Sequence, residues 1–214
     1  MKNKILICFG TRPEWLKVKP LIKILDKSQY SLLFTGQHLD LLNNIKMDFK
    51  IKMKSHHNRL DQIISDCMLQ FPDEGFNSVL VQGDTGSAFG CALAAYNRKL
   101  KIYYLEAGLR SYNLDHPYPE EAYRQMIARI SDVNLCPTKL SKENLVNEHT
   151  NGICHVIGNT VLDNLLNYKD KCEYTNKILV TMHRRENLYW MNHWFIEINK
   201  LASKNPDLEF ILPI

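Results

Sequence analysis

Short apolar runs alternate with longer polar stretches along nearly the whole chain. Eight runs are apolar at almost every position: KILICFG (4–10), SLLFTG (31–36), SVLVQGD (78–84), KIYYLEA (101–107), VNLCPT (133–138), CHVIGN (154–159), KILVTMH (177–183) and LEFILPI (208–214). Such runs are typical of strands that are covered on both faces, as in parallel sheets.

The stretches between these runs have the apolar spacing of amphipathic helices. In PEWLKVKPLIKIL, for example, Trp15, Val18, Ile22 and Leu25 fall on one helical face. The same spacing recurs in RLDQIISDCMLQF, AFGCALAAYNRKL, EEAYRQMIARIS, KENLVNEH, TVLDNLL and HWFIEINKLAS. The repeated β-α order predicts an α/β fold with a doubly wound parallel sheet.

A polar, aperiodic segment predicts a division of the chain. We expect a first domain over residues 1–168, a linker over 169–176 within NYKDKCEYTN, and the start of a second α/β domain over 177–214. Two parallel strands and one helix make a poor independent domain. We therefore expect the sequence to break off inside that second domain.

Composition excludes several classes of function. The net charge of +4 over 214 residues is mild, and Lys and Arg are dispersed, so nucleic-acid binding is not expected. No apolar run approaches the ~18 residues of a membrane span. The six cysteines form no C-x-x-C pair, which favours reduced thiols in the cytoplasm over disulfides or zinc.

Glycines and polar residues follow strand after strand at the predicted carboxyl ends. These groups are Gly10-Thr11-Arg12, Gly36-Gln37-His38, Gly83-Asp84-Thr85, Glu106 to Arg110, Gly158-Asn159-Thr160 and His183 to Asn187. Ligands of open α/β sheets bind beyond that edge. Taken singly, Asp84-Thr85 is as compatible with a helix N-cap, and Glu120–Arg124 with an ordinary i,i+4 pair.

The coincidence of these groups at one edge favours a ligand site. Glycines there let backbone amides approach a phosphate, and arginines supply charge-assisted bonds. Asp84, Glu106, Glu120 and His183 could do acid–base work on a sugar or a similar ring. GDTGSAFG matches neither the dinucleotide-binding fingerprint nor the P-loop, which disfavours a nicotinamide enzyme or an ordinary NTPase.

Seven motifs occur in a specific order: GTRPE, TGQH, GDT, EAGLRS, PEE-x-x-R, GNT and HRREN. In these motifs the chain resembles the non-hydrolysing UDP-N-acetylglucosamine 2-epimerases over essentially its whole length. The resemblance implies a glycosyltransferase-B-type fold whose N-terminal domain is Rossmann-like, a homodimer, and no metal or nicotinamide cofactor. It implies that UDP-N-acetylglucosamine and UDP-N-acetylmannosamine interconvert by anti elimination of UDP, through 2-acetamidoglucal, and re-addition.

The resemblance also implies roles for individual residues. The catalytic set is Asp84, Glu106, Glu120 and His183. The substrate-binding set is Gly10, Thr11, Arg12, Arg110, Arg124 and Arg185. A second, regulatory UDP-N-acetylglucosamine site would use Gln37, Arg59, Glu121 and Arg184. Which carboxylate takes the C2 proton stays open.

Several features depart from the family. Tyr123 stands where the family has Asn, and Asp40 stands where it often has Gln. Family members also run well beyond this length, so the missing C-terminal domain is an expected partner. The alternatives are a related nucleotide-sugar enzyme (a hydrolysing epimerase, an epimerase for another 2-acetamido sugar, or a glycosyltransferase) and a non-catalytic remnant that binds nucleotide sugar.

Overall fold

The computed structural model describes residues 4–38, 45–53, 60–73, 75–168, 175–181 and 189–213. Contacts between Cα atoms divide the chain into two compact units, Met1–Leu166 and Asn167–Ile214. Each unit is described by itself.

The first unit contains a parallel sheet of seven strands. Their bounds are β1 Ile5–Phe9, β2 Tyr30–Phe34, β3 Phe49–Lys50, β4 Ser78–Gln82, β5 Lys101–Leu105, β6 Val133–Cys136 and β7 Ile153–Val156. The order across the sheet is β3-β2-β1-β4-β5-β6-β7. The direction of winding therefore reverses between β1 and β4, and ligands of such folds bind at that switch point.

Helices connect the strands of this sheet. They are α1 Arg12–Ile24, α2 Leu60–Leu69, α3 Gly86–Asn97, α4 Glu120–Ile130 and α5 Lys139–Asn147, and a 3₁₀ helix covers Thr160–Tyr168. Thr11 caps α1 in a capping box with Glu14, and Thr85 and Thr138 cap α3 and α5 with their hydroxyl groups. The caps fix where each helix starts relative to the strand before it.

Alternate residues of the central strands enter two separate cores. Leu6 and Cys8 of β1 pack with the alanine-rich face of α3, whereas Ile7 and Phe9 pack on the opposite face with Val18 of α1. The sheet is thus buried on both sides, which is why its strands are apolar at consecutive positions.

The second unit contains β8 Lys177–Leu179, α6 Met191–Lys204 and β9 Glu209–Ile211. The two strands pair in parallel, with Lys177 opposite Glu209. No residue of α6 is buried, and Trp194 and Phe195 are exposed.

The predicted α/β fold class, with its doubly wound parallel sheet, is confirmed. Each of the eight predicted strands overlaps an observed one, and every predicted helical stretch is helical. Two details differ. The two-residue edge strand β3 was not predicted, and TVLDNLL forms a 3₁₀ helix. In the described part of the chain, no helix combines the length and apolar character that crossing a membrane requires.

Candidate active site

The turn after β1 is built around the buried carboxylate of Glu14. Glu14 Oε2 accepts hydrogen bonds from the amides of Gly10 at 2.7 Å and Thr11 at 2.6 Å. Both amides are therefore already used, and substrate binding by Gly10 and Thr11 stays a prediction. Arg12, the next residue, is exposed, and its side chain has no partner among the described residues.

Gly10 is required for close packing at this turn. A Cβ added to Gly10 would lie 2.1 Å from Thr35 Oγ1 and 2.3 Å from Ser87 Oγ. These two hydroxyl groups are 2.6 Å apart, and Ser87 Oγ also donates to Gln37 Oε1 at 2.7 Å. Gln37 therefore contacts Ser87 at the start of α3, next to the switch point. Its predicted regulatory role stays a prediction.

Asp84 lies in the turn between β4 and α3. Gly83, at φ +74°, turns the chain there, and Thr85 caps α3. Asp84 Oδ2 accepts a hydrogen bond from the guanidinium of Arg124 on α4. The helix-cap interpretation is thus confirmed for Thr85, whereas the catalytic role of Asp84 stays a prediction.

Glu106 directly follows β5 and has a left-handed backbone, with φ +67°. Its Oε2 atom accepts hydrogen bonds from Lys17 Nζ of α1 and from Gln82 Nε2 at the end of β4. Gln82 and Leu105 are register partners of the neighbouring strands β4 and β5. Asp84 and Glu106 consequently emerge from adjacent strand ends.

Arg124 connects two of the predicted site carboxylates. Besides its bond to Asp84, its Nη1 atom lies 3.4 Å from Glu121 Oε2. Its Nε atom is buried without a hydrogen-bond partner in the described structure. Glu120 begins α4 one turn before Arg124, is partly exposed, and forms no hydrogen bond or ion pair with any described residue.

The charged groups of this site change the pKa of the buried Tyr104. Burial raises the pKa of Tyr104, and the nearby carboxylates of Asp84 and Glu106 add to that effect, while Arg110 and Arg124 oppose it. Four charged residues from three of the motifs therefore influence the pKa of one tyrosine in β5.

Glu121 is buried and supports the loop before α4. It accepts hydrogen bonds from the amides of Ser111 at 3.0 Å and Tyr112 at 3.2 Å and from Gln125 Nε2 at 2.8 Å. Burial alone would raise the pKa of Glu121, but these hydrogen bonds outweigh it and hold the pKa below its ordinary value of 4.5. The predicted regulatory role of Glu121 stays a prediction.

The lowered pKa of Glu121 predicts acid sensitivity. Its contribution to folding is present above pH 4.5 and is lost as the pH falls through the lower folded-state value. Glu121→Gln is expected to cost about 1–2 kcal/mol of unfolding free energy at pH 7 and to flatten its decline in acid. Urea unfolding of both proteins at several pH values measures this, and parallel pH curves would contradict it.

Arg110, predicted to bind substrate, is locked in a buried ion pair. Its Nε and Nη2 atoms donate to the two carboxylate oxygens of Glu148 at 2.7 and 2.8 Å, and Nη1 donates to the Leu109 carbonyl at 2.8 Å. The described contacts position the loop after Glu106, and substrate binding by Arg110 stays a prediction.

Five positions singled out from the sequence lie outside the described residues: Arg59, His183, Arg184 and Arg185, and the departure at Asp40.

Three residues of this site were not predicted: Glu14, Lys17 and Gln82. Gln82 is a polar residue at the end of the apolar run SVLVQ, directly before the glycine turn, and that position was a usable signal. Lys17 follows Glu14 by three residues, so both lie on one helical face. The position of a residue on a helix face or at a strand end does not show which partner its side chain contacts.

Together these elements form a polar edge at the switch point of the sheet. In both Asp84 and Glu106, one carboxylate oxygen accepts a hydrogen bond from a cation on a helix. The other carboxylate oxygen has no partner in the described part of the chain. Cations suit a phosphate and free carboxylate oxygens suit proton transfer. In the described ranges, no group of three or more His, Cys, Asp or Glu side chains could hold a metal ion. Fold and site define an open α/β domain suited to an anionic ligand.

Comparison with known proteins gives the family. Residues 24–214 match the family profile described as UDP-N-acetylglucosamine 2-epimerase. The chain is 38% identical to the UDP-N-acetylglucosamine 2-epimerase of Campylobacter jejuni, over 100% of the chain and 65% of that protein. The chain belongs to the UDP-N-acetylglucosamine 2-epimerase family, as its motifs predicted.

Solved structures agree with this assignment and with the glycosyltransferase-B-type fold. The UDP-GlcNAc 2-epimerase of Neisseria meningitidis bound to UDP-GlcNAc superposes with a TM-score of 0.82 at 32% identity, over 98% of the chain and 65% of that protein. S. aureus MnaA with UDP gives a TM-score of 0.84 at 33% identity, over 99% and 62%. The chain thus spans somewhat less than two thirds of the length of these relatives.

Proposed function

We propose that this chain supplies the N-terminal part of an active site that interconverts UDP-N-acetylglucosamine and UDP-N-acetylmannosamine by epimerisation at C2. The observation that carries the proposal is the pairing at the sheet edge. Asp84 and Glu106 leave adjacent strands, and each is held by a cation from a different helix, Arg124 or Lys17. Glu120 begins the helix that carries Arg124.

The chemistry requires charge stabilisation at the leaving group. The C2 proton of the sugar is not acidic, because no carbonyl is attached to C2, so cleavage of the C1–O bond has to lead. UDP then departs with the bonding electrons while a carboxylate takes the C2 proton, which leaves 2-acetamidoglucal. Lys17, Arg124 and the exposed Arg12 are the described cations that would stabilise the diphosphate.

Inversion at C2 requires acids on both sides of the ring. The proton leaves one face and a proton returns to the opposite face before UDP adds back to C1. Asp84, Glu106 and Glu120 stand on three different turns or helix ends of the site, so they would approach a bound ring from different directions. Which of them takes the C2 proton is left open.

The reaction is proposed for the chain together with the remaining part of a second domain. The relatives are longer, and α6 of the second unit has no buried residue. Trp194 and Phe195 of this helix are exposed, and they offer an apolar surface on which the proposed remaining part could pack.

Solvent deuterium provides the direct test. In D₂O we expect the chain, mixed with the remaining C-terminal segment of the Campylobacter jejuni relative, to form UDP-N-acetylmannosamine with deuterium at C2. The reason is that elimination exchanges the C2 proton with solvent before re-addition. Proton NMR of the nucleotide sugars measures both product and label, and each polypeptide alone is the control.

Each other outcome has a distinct meaning. Product without deuterium at C2 would reject the elimination route. Free N-acetylmannosamine would indicate the hydrolysing reaction instead. Tight binding of UDP-N-acetylglucosamine in titration calorimetry with no turnover of any kind would favour the non-catalytic alternative.

We also propose a cytoplasmic homodimer. An apolar groove of about 610 Å³ lies on the surface of α3 and α4, and Phe89, Leu93 and Met126 line it. Met126 is exposed there, and an exposed apolar groove is a surface that can pair with its own copy.

A further inference from the structure

Glu14 is a buried carboxylate that the proposed reaction does not use. Its exposed fraction is 2%. Oε2 accepts from the amides of Gly10 and Thr11, and Oε1 accepts from the hydroxyl of Thr85 at 2.5 Å. No cation pairs with it in the described structure, so every hydrogen bond to this carboxylate comes from a neutral donor.

These three donors belong to two different turns. Gly10 and Thr11 form the turn after β1, and Thr85 belongs to the turn after β4. β1 and β4 are neighbours in the sheet and enclose its switch point. One side chain therefore joins the two turns between which a ligand of this fold binds.

Helix capping alone does not explain this arrangement. A capping box needs only the reciprocal bonds between Thr11 and Glu14. The bonds from Gly10 and Thr85 lie outside it, and Thr85 donates to Glu14 with the same hydroxyl that accepts from Ala88 at the start of α3. The carboxylate thus contacts the residue that follows Asp84 and the residue that precedes Arg12.

We propose that Glu14 is a positioning residue that couples the turn after β1 to the turn after β4 and so fixes Asp84 relative to Arg12. Glu14 does not touch the substrate in this role. The functional part of the inference rests on the proposed epimerase reaction. The coupling of the two turns can be measured without any turnover.

The kinetic test uses Glu14→Gln in the complemented assay. The amide oxygen can still accept from Gly10 and Thr11, but the amide nitrogen now faces Thr85, so the hydroxyl of Thr85 loses its acceptor at position 14. We expect kcat to fall about 10–100-fold, since small displacements of reacting groups have costs of this size, while KM stays close to the wild-type value. Glu143→Gln, which neutralises an exposed carboxylate on α5, is the matched control and should change neither.

Variants of Thr85 locate the effect. Thr85→Ser keeps the hydroxyl and is expected to keep kcat, whereas Thr85→Val is expected to lower it as Glu14→Gln does. Because both substitutions break the same link, the double variant Glu14→Gln/Thr85→Val should lose no more kcat than the worse single variant. Additive losses would overturn the proposal.

Stability separates positioning from a general structural role. Burial raises the pKa of Glu14, so the ionised side chain opposes folding at neutral pH, and a neutral glutamine removes that cost. We therefore expect Glu14→Gln to have a Tm equal to or above the wild-type value while kcat falls. A parallel loss of Tm and kcat would overturn the positioning role.

Backbone NMR of the 214-residue chain tests the coupling without turnover. In Glu14→Gln, the amide signals of Asp84 and Thr85 should shift although the substitution lies on another element. If they shift and the wild-type assay shows no epimerisation, the proposed function fails and the coupling stands. If the wild type is active and Glu14→Gln has unchanged kcat and unchanged Asp84 signals, the inference fails and the proposed function stands.

Discussion

Asp84→Asn is expected to lower kcat of the complemented epimerase by about 10²–10⁴-fold, the usual contribution of a positioned proton-transfer group, and Glu106→Gln should do the same. Each substitution keeps the size of the side chain but removes its ability to take a proton. Each also weakens an ion pair, with Arg124 or with Lys17. Product formation followed by NMR at saturating UDP-N-acetylglucosamine measures the loss.

Asp115→Asn is the control for charge removal near the site. Asp115 lies in the loop between β5 and α4, its side chain is exposed, and it forms no ion pair with a described residue. Its substitution should leave kcat near the wild-type value, and circular dichroism should show that all three variants are folded. Wild-type-like turnover in Asp84→Asn or Glu106→Gln would remove that residue from the proton-transfer scheme.

Gly108→Ala is expected to destabilise the fold by roughly 2–5 kcal/mol, the sum of a strained backbone and overpacking. Gly108 has φ +86°, and an added Cβ would lie 2.0 Å from the backbone oxygen of Ser141 on α5. The carbonyl of Gly108 also accepts from Asn144 Nδ2 at 2.9 Å. A methyl group there has to push α5 away from the turn that holds Glu106. Urea unfolding measures the loss.

Gly75→Ala separates the two contributions. Gly75 has a similarly positive φ of +95°, but among the described residues, its chain neighbours aside, no atom lies within 4 Å of an added Cβ. Its substitution should therefore show the backbone cost alone, about 1 kcal/mol. Equal losses in the two variants would mean that the approach of α5 to Gly108 is looser than the structure shows.

Much of the fold could be predicted because burial on both faces leaves a strong record in sequence. Apolar runs such as SVLVQ of β4 contain no alternation, and the helices between them keep their spacing. β3 was not predicted, because two residues at a sheet edge, Phe49 and Lys50, are too few to form a pattern. Thr160–Tyr168 forms a 3₁₀ helix, which differs from an α-helix in its pattern of backbone hydrogen bonds. The spacing of apolar residues does not distinguish the two.

The placement of Asp84 and Glu106 at one sheet edge could be predicted, but their partners could not. Asp84 and Glu106 follow strands, so topology alone brings them to one edge. The pairing of Glu106 with Lys17 spans 89 residues of sequence and depends on how α1 lies over the sheet. The hydrogen bond from the Gly10 amide to Glu14 likewise depends on the burial of the Glu14 side chain. A glycine in a predicted turn does not show whether its amide is free to bind a ligand.

The backbone at Glu106 has a consequence for how this position can vary. Left-handed φ values cost most residues on the order of 1 kcal/mol, and glycine nearly nothing. Glycine avoids this cost at Gly83 and Gly108, whereas Lys99, Tyr112 and His149 share the left-handed backbone of Glu106. The backbone of Glu106 is therefore strained, and hydrogen bonds from Lys17 and Gln82 hold its side chain in place. Glycine at position 106 would relieve this strain but would remove the carboxylate that the proposed reaction uses.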